Sequence, residues 1–518
     1  MSINQNTRRD FLEDVGRGML VAALGSTAAF DMGLATATAA DEVAARLTFG
    51  KLEPLVSLMQ ETAPDALLPL LVGKLRGGTE LSALVAAGAL ANARAFGGHD
   101  YTGYHTFMAL MPAYRMAGEL PSASRALPVL KVLYRNSSRI QDQEAAHRDA
   151  LHPIDAPAEK AGSDESVRDA IRALDRTGAE ARLAAIAANS SQDAFDAVQV
   201  AVEDQVNVHR VVLAWRAWAM LELTGQQYAQ ELLRQSVRFC LDEEQSMHDH
   251  HHPTPAVREV LPKLLDQYRL LSKPVGDRQP DDAWIEALAQ TIFAGTQAQA
   301  ADAVASAIAE GMHPESVGEA ISVAANLLVL HDPGRREENS TPQKPPGCVH
   351  GDSVGVHASD AANAWRNIAR VASPRNQAAA LIVGAYHTAG QFSYVGKGPY
   401  PYARLLEEIR DTGAAVLLAR AEEAIQANDQ AAACAVVHRY GELNLPSRPV
   451  FDLLLKYAVS EDGALHAEKY YRTVTEEFDS MRPAFRWRQL VALARVTSSE
   501  FGYPAPGLQQ ARELLGAS

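Results

Sequence analysis

Cysteine is scarce. Three in 518 residues cannot build a disulfide framework. Cys240 and Cys434 fall in helical patterns and read as small buried apolar residues. Cys348 sits in a Pro-rich loop two residues before His350 and is a candidate ligand or free thiol. There is no C-x-x-C-H for covalent haem and no C-x-x-C pair for a zinc knuckle or redox motif. Aromatics make up only 6% of the chain and β-branched runs are rare, which disfavours sheet. An excess of basic charge is also missing: the formal charge of −15 argues against a nucleic-acid surface, since phosphate binding needs a basic face, so no nucleic-acid partner is expected. No G-x-G-x-x-G, Walker loop, H-E-x-x-H or G-x-S-x-G elbow occurs, which disfavours nucleotide and serine-hydrolase chemistry. Beyond the first forty residues no apolar run reaches the ~18 residues of a membrane span.

What is present is alanine, leucine and valine at three- and four-residue spacing, the signature of helices. The pattern predicts an all-α chain, a pseudo-duplicated helical array or bundle of about twenty helices. Asp100, Gly103 and His105 recur as Asp352, Gly355 and His357 at a constant offset of 252 residues. Each copy is an Asp-x-x-Gly-x-His turn in which the Gly permits a tight backbone and the Asp caps a helix or orients an imidazole. Upstream, Gly77 matches Gly311 at 234; downstream, Phe239 matches Tyr457 and His248 matches His466 at 218. The offsets change mainly at non-periodic stretches, the polar excursion 138–162 and the Pro-rich loop 332–349, as insertions into a duplicated chain would. The expected organisation is a leader over 1–40, a first helical half over 41–272 and a second over 282–518, its tandem copy. Residues 163–188 and 193–223 each read as one helix.

Sixteen histidines exceed what packing needs. His105 and His357 lead, as duplicated residues beside the duplicated Asp100 and Asp352. His248 and His466 form the second pair. With His466, Lys469 and Tyr470 share a helix face, an arrangement that can bind an anion or shuttle protons. These six, His105, His357, His248, His466, Asp100 and Asp352, are the expected metal set, since neutral imidazole and carboxylate suit Fe, Cu or Zn. Secondary candidates are His99, His350, His209, His387 and Tyr386. His209, within an apolar helix beside Arg210, is costly unless paired, and an acid such as Glu203 is its expected structural partner. The plain alternative for every one of these residues is capping, solvation or a satisfied core network.

Two resemblances bear on function. Thr7-Arg8-Arg9-Asp10-Phe11-Leu12, the apolar stretch Met19-Leu20-Val21-Ala22-Ala23-Leu24 and the small-residue site Ala37-Thr38-Ala39-Ala40 resemble a twin-arginine signal peptide. That resemblance implies passage of an already folded, often cofactor-loaded protein through the twin-arginine export machinery to the periplasm or another extracytoplasmic space, with no stable membrane span after processing. His99, His105 and the helix 106–117, with echoes at His209 and His357, are similar to the His-containing helical segments of questin-oxidase-like proteins, without their dense His-x-His-x-x-His-His spacing. This second resemblance implies oxidation rather than hydrolysis. The expectation is an exported metal-dependent enzyme acting on a small-molecule substrate at a site between two helical halves. The competing expectation is a non-catalytic helical-repeat binding protein. Convergence of His105 and His357 separates them.

Overall fold

Segments in which alanine and leucine recur on every side can only be stable when surrounded by protein, and such segments lie at the centre of the molecule. The computed structural model describes residues 46–154, 165–351, 353–396 and 398–516; the expected leader and Asp352 lie outside the described residues. The chain is all-α: among the described residues there are 23 α-helices linked by short 3-10 turns, and no strand. Residues 48–518 form one compact unit to which helices from both expected halves contribute.

Four helices occupy the middle, labelled here α1 (Tyr101–Glu119), α2 (Val208–Thr224), α3 (Val354–Val371) and α4 (His466–Ser480). They pack as a closed ring, α1 on α2, α2 on α3, α3 on α4 and α4 back on α1. Other helices sheath them. Leu81–Phe96, in which every residue from Leu84 onward is buried, lies against α1 and α2. Pro314–His331 and Pro374–Ala389 cover α3, and Pro483–Glu500 covers α4. Among the described residues no helix is long and apolar enough to cross a membrane.

Three expectations about the chain path need correction. Residues 193–223 are two helices, Ser191–Val202 and α2, because Asn207 in extended backbone accepts from the His209 amide at 2.8 Å and starts a new helix. Residues 163–188 likewise divide into Glu165–Arg172 and Arg176–Ala187, the second capped by Asp175. The polar stretch after residue 138 is not wholly solvated. Ala145 and Ala146 join a buried cluster with Ala95, Phe96 and Ile140, and the amides of Ala150 and Leu151 both donate to Arg94 O, at 2.7 and 3.1 Å. Arg94 lies in the last turn of its helix, where carbonyls have no partner within the helix; the excursion supplies one.

The repeated glycines also act differently from the expectation. Neither Gly103 nor Gly355 has a positive φ; both lie inside the first turn of a central helix. A Cβ on Gly103 would fall 2.7 Å from the Phe96 ring, and one on Gly355 2.6 Å from Val329 Cα. Close approach of the preceding helix, rather than a tight turn, requires them.

Candidate functional site

Each central helix brings one histidine to the same place from its opening turns. In α1, Asp100 takes the cap position at φ +67°, accepts from the Gly103 amide at 2.7 Å and is clamped by Arg139 at 2.8 and 2.5 Å; His105 follows one turn later. In α2, the Asn207 cap makes His209 the second helical residue. In α3, Ser353 is the cap, and His357 follows. α4 opens on His466 itself, directly after Gly463, Ala464 and Leu465, all with positive φ. Two successive non-glycine residues in that region store local strain, at the point where the backbone must turn to aim His466 inward.

The imidazoles form a closed ring. Centroid separations are 4.8 Å from His105 to His209, 5.5 Å from His209 to His357, 5.3 Å from His357 to His466 and 5.1 Å from His466 back to His105. The Nε2 atoms of His357 and His466 stand 3.2 Å apart. His105 Nδ1 lies 2.6 Å from Tyr101 O, and His466 Nδ1 3.0 Å from Ala464 O. A carbonyl can only accept, so in each ring Nδ1 carries the proton and Nε2 holds a lone pair. Burial, with the Lys469 charge next, holds both rings well below the ordinary imidazole range, so they are neutral. His209 is held down as well, by burial and then by His357 and Lys469. The Nε2 atoms of His105 and His209 are buried without a hydrogen-bond partner, each an omission that costs about 1–3 kcal/mol.

Around the ring, Tyr104 stacks on His105 at 5.0 Å and Tyr101 lies 4.2 Å from the same ring. Tyr101 is 41% exposed and also touches His209 at 5.6 Å, so the histidines lie one tyrosine beneath the surface. Behind His466, Gly351 is fixed by contact: a Cβ there would sit 2.1 Å from His466 Cβ. The Gly351 amide donates to Glu500 Oε1 at 2.8 Å, and the buried His350 stands 3.6 Å from that same oxygen.

The arrangement has the marks of a ligand set. Imidazole ligands of metals characteristically donate their other N–H to a carbonyl or carboxylate, as His105 and His466 do. With metal–nitrogen bonds of ~2.0–2.1 Å, two tetrahedral ligands lie about 3.3 Å apart, close to the His357–His466 spacing. Among the described residues, no three His, Cys, Asp or Glu side chains are already placed to hold an ion, so the His105 and His209 rings would have to turn inward to complete a site.

Of the expected set, His105, His357 and His466 come together. His248 does not. It is 72% exposed at the end of Ala229–Asp249, beside Asp249, whereas His466 opens its helix; the two are not equivalent places, and His209 supplies the fourth imidazole. Asp100 is committed to its cap and Arg139. His99 pairs with Asp242, and His350 stands behind His466, 6.2 Å between ring centroids. His387 is buried elsewhere and accepts from Trp365 Nε1 at 3.4 Å. Tyr386 helps line a separate cleft of about 320 Å³ with Gln205, Met247 and His252, which includes none of the ring histidines. Glu203, the expected partner of His209, pairs instead with Arg375. Cys348 is buried with Sγ 3.7 Å from Ser499 O. Periodicity places His209 inside a continuous helix; Asn207, two residues before it, is the signal that a new helix starts there. Neither a family model, a curated protein nor a solved structure matches the chain.

Proposed function

We propose that the chain is an exported metal-dependent enzyme, an oxidoreductase rather than a hydrolase, with His105, His209, His357 and His466 as ligands of one transition-metal ion. The observation that carries this reading is the buried, unpartnered Nε2 of His105 within a ring of four imidazoles, its opposite nitrogen bonded to Tyr101 O. A neutral four-nitrogen set suits Fe, Cu or Zn. Oxidation is favoured by the likeness of the His99–His105 segment to questin-oxidase-like proteins and by the two tyrosines on the ring. Export rests on the twin-arginine pattern, and loading before export fits a site enclosed by four helices. The ring also supports the duplication in amended form: His105 faces His357 across it and His209 faces His466, so His209 replaces His248 as the counterpart of His466.

The competing reading is a helical binding protein in which the imidazoles form a structural network. It draws on the 3.2 Å His357–His466 contact, which is an ordinary hydrogen bond if His357 Nε2 carries a proton. Elemental analysis of protein purified through its own export route decides between them. The metal reading expects about one ion per chain, lost in a His105→Ala, His466→Ala double variant that remains helical. Substoichiometric metal in the wild type, or unchanged metal in the variant, favours the structural network.

A further inference from the structure

Lys469 follows His466 by three residues and so lies on the same face of α4. Its side chain is 3% exposed and makes no hydrogen bond or ion pair with any described residue. A buried ammonium without a partner is unfavourable. The nearby acids relieve it only in part, since each is bonded elsewhere. Glu468 turns the other way, with Oε1 2.6 Å from Lys131 Nζ. Asp360, the strongest opposing charge, accepts from Thr473 Oγ1 at 2.7 Å and also faces the buried Arg216. The Lys469 charge also disfavours protonation of three ring histidines, His105, His209 and His466.

The ring contains no carboxylate. Asp100 is held by Arg139, and Glu500 receives the Gly351 amide. The opening turns of four helices gather there, and each presents the positive end of its dipole. A metal dication bound by four neutral imidazoles would therefore sit beside a buried cation that has no hydrogen-bonded or ion-paired anion, in a ring that has no carboxylate of its own. Resting on the metal reading, we infer that the ring's ligand set is completed by an organic anion with an oxygen donor, a carboxylate or a phenolate, bound between the metal and the Lys469 ammonium. Tyr101, aromatic and part-exposed above His105 and His209, gives such a ligand a ring face to stack on as it enters. The substrate class is thus an aromatic or aliphatic acid or an acidic phenol rather than a neutral or cationic molecule. Lys469 is its binding residue.

The test uses the full exported protein reconstituted with Co(II), whose visible spectrum reports its ligands, titrated with benzoate and separately with azide as a small-anion probe. In the wild type both should perturb the Co(II) bands. Lys469→Met should retain Co(II) stoichiometry and weaken both anions by about tenfold or more, the worth of a charge-assisted hydrogen bond; Lys469→Arg should restore most of the affinity. Lys469→Gln provides a second neutral variant if Lys469→Met does not fold. Full Co(II) loading with unchanged anion affinity in the neutral variants overturns this inference and leaves the metal reading standing. Loss of Co(II) in the neutral variants also overturns it, because it assigns Lys469 to the scaffold. Failure of the wild type to take up Co(II) overturns the metal reading and this inference with it.

Discussion

His387 shows what a buried imidazole does when it belongs to no cluster. It lies on Pro374–Ala389, 4% exposed, and burial pushes its ring down to about 4. In the unfolded chain the same ring titrates near the ordinary value of about 6.5. Above that pH both states are neutral and the difference contributes nothing. As pH falls from about 6.5 towards 4 the unfolded chain takes up the proton first, so stability declines through that window and levels off below it. A shift of this size corresponds to about 3 kcal/mol. His387→Gln keeps an acceptor for Trp365 Nε1, and its urea-unfolding free energy should fall by about 2–3 kcal/mol less between pH 7 and 4.5 than that of the wild type. His105, His209 and His466 shift in the same direction but remain in both proteins, so they cancel in the comparison. Identical pH dependence would show that His387 is accessible to protons in the folded state. The sequence placed His387 at a helix end, where it is, but gave no means of telling a lone buried imidazole from one in a ring. That distinction depends on which helices meet, and no local pattern carries it.

At the scale of the element, the part of the site that escaped the sequence is the break before α2. The alternation of apolar residues continues through 193–223, so periodicity alone joins two helices. Asn207 ends the run, because its side chain satisfies the amide that begins α2. Asn207→Ala should cost about 1 kcal/mol of stability, and Asn207→Asp or Asn207→Ser much less. The substitution should also unfix the first turn of α2, so that His209 loses its aim and metal retention falls beyond what the stability change predicts. Thermal melts paired with metal content read the two effects separately; normal metal in a destabilised Asn207→Ala protein would remove His209 from the ligand set. The histidines that were legible are those marked by composition as well as position. His105 and His357 carry the same Asp-x-x-Gly-x-His frame. His466 stands with Lys469 and Tyr470 on a face too polar to be ordinary core. The offset that joined His466 to His248 failed because it counted residues across helices of unequal length, and a helix C-terminus was matched to an N-terminus.

At the scale of the molecule, the ring persists only if distant parts of the chain are held in register, and one buried contact does this directly. Lys131, on Leu127–Asp142, reaches into the region of residues 458–468. Its ammonium donates to Ala458 O at 3.0 Å and Glu461 O at 2.6 Å, and lies 2.6 Å from Glu468 Oε1. Lysine and glutamate are 1% and 0% exposed. The contact ties the helix that backs α1 to the strained turn from which His466 emerges. Lys131→Met fits the space but leaves the Glu468 carboxylate buried without its cation, an outcome that typically costs about 3–5 kcal/mol. Adding Glu468→Leu removes the stranded charge, so the double variant should recover a large part of that loss, with a coupling of about 1–3 kcal/mol between the positions. It should not recover the ring, because the two backbone carbonyls that Lys131 held remain unpaired and the turn before His466 is free to relax. Chemical denaturation of the four proteins in the cycle measures the first expectation, and metal content of the double variant the second. Additive losses would mean that the pair is not an energetic unit. Full metal retention in a restabilised double variant would mean that α4 keeps its register through the packing of the central helices alone.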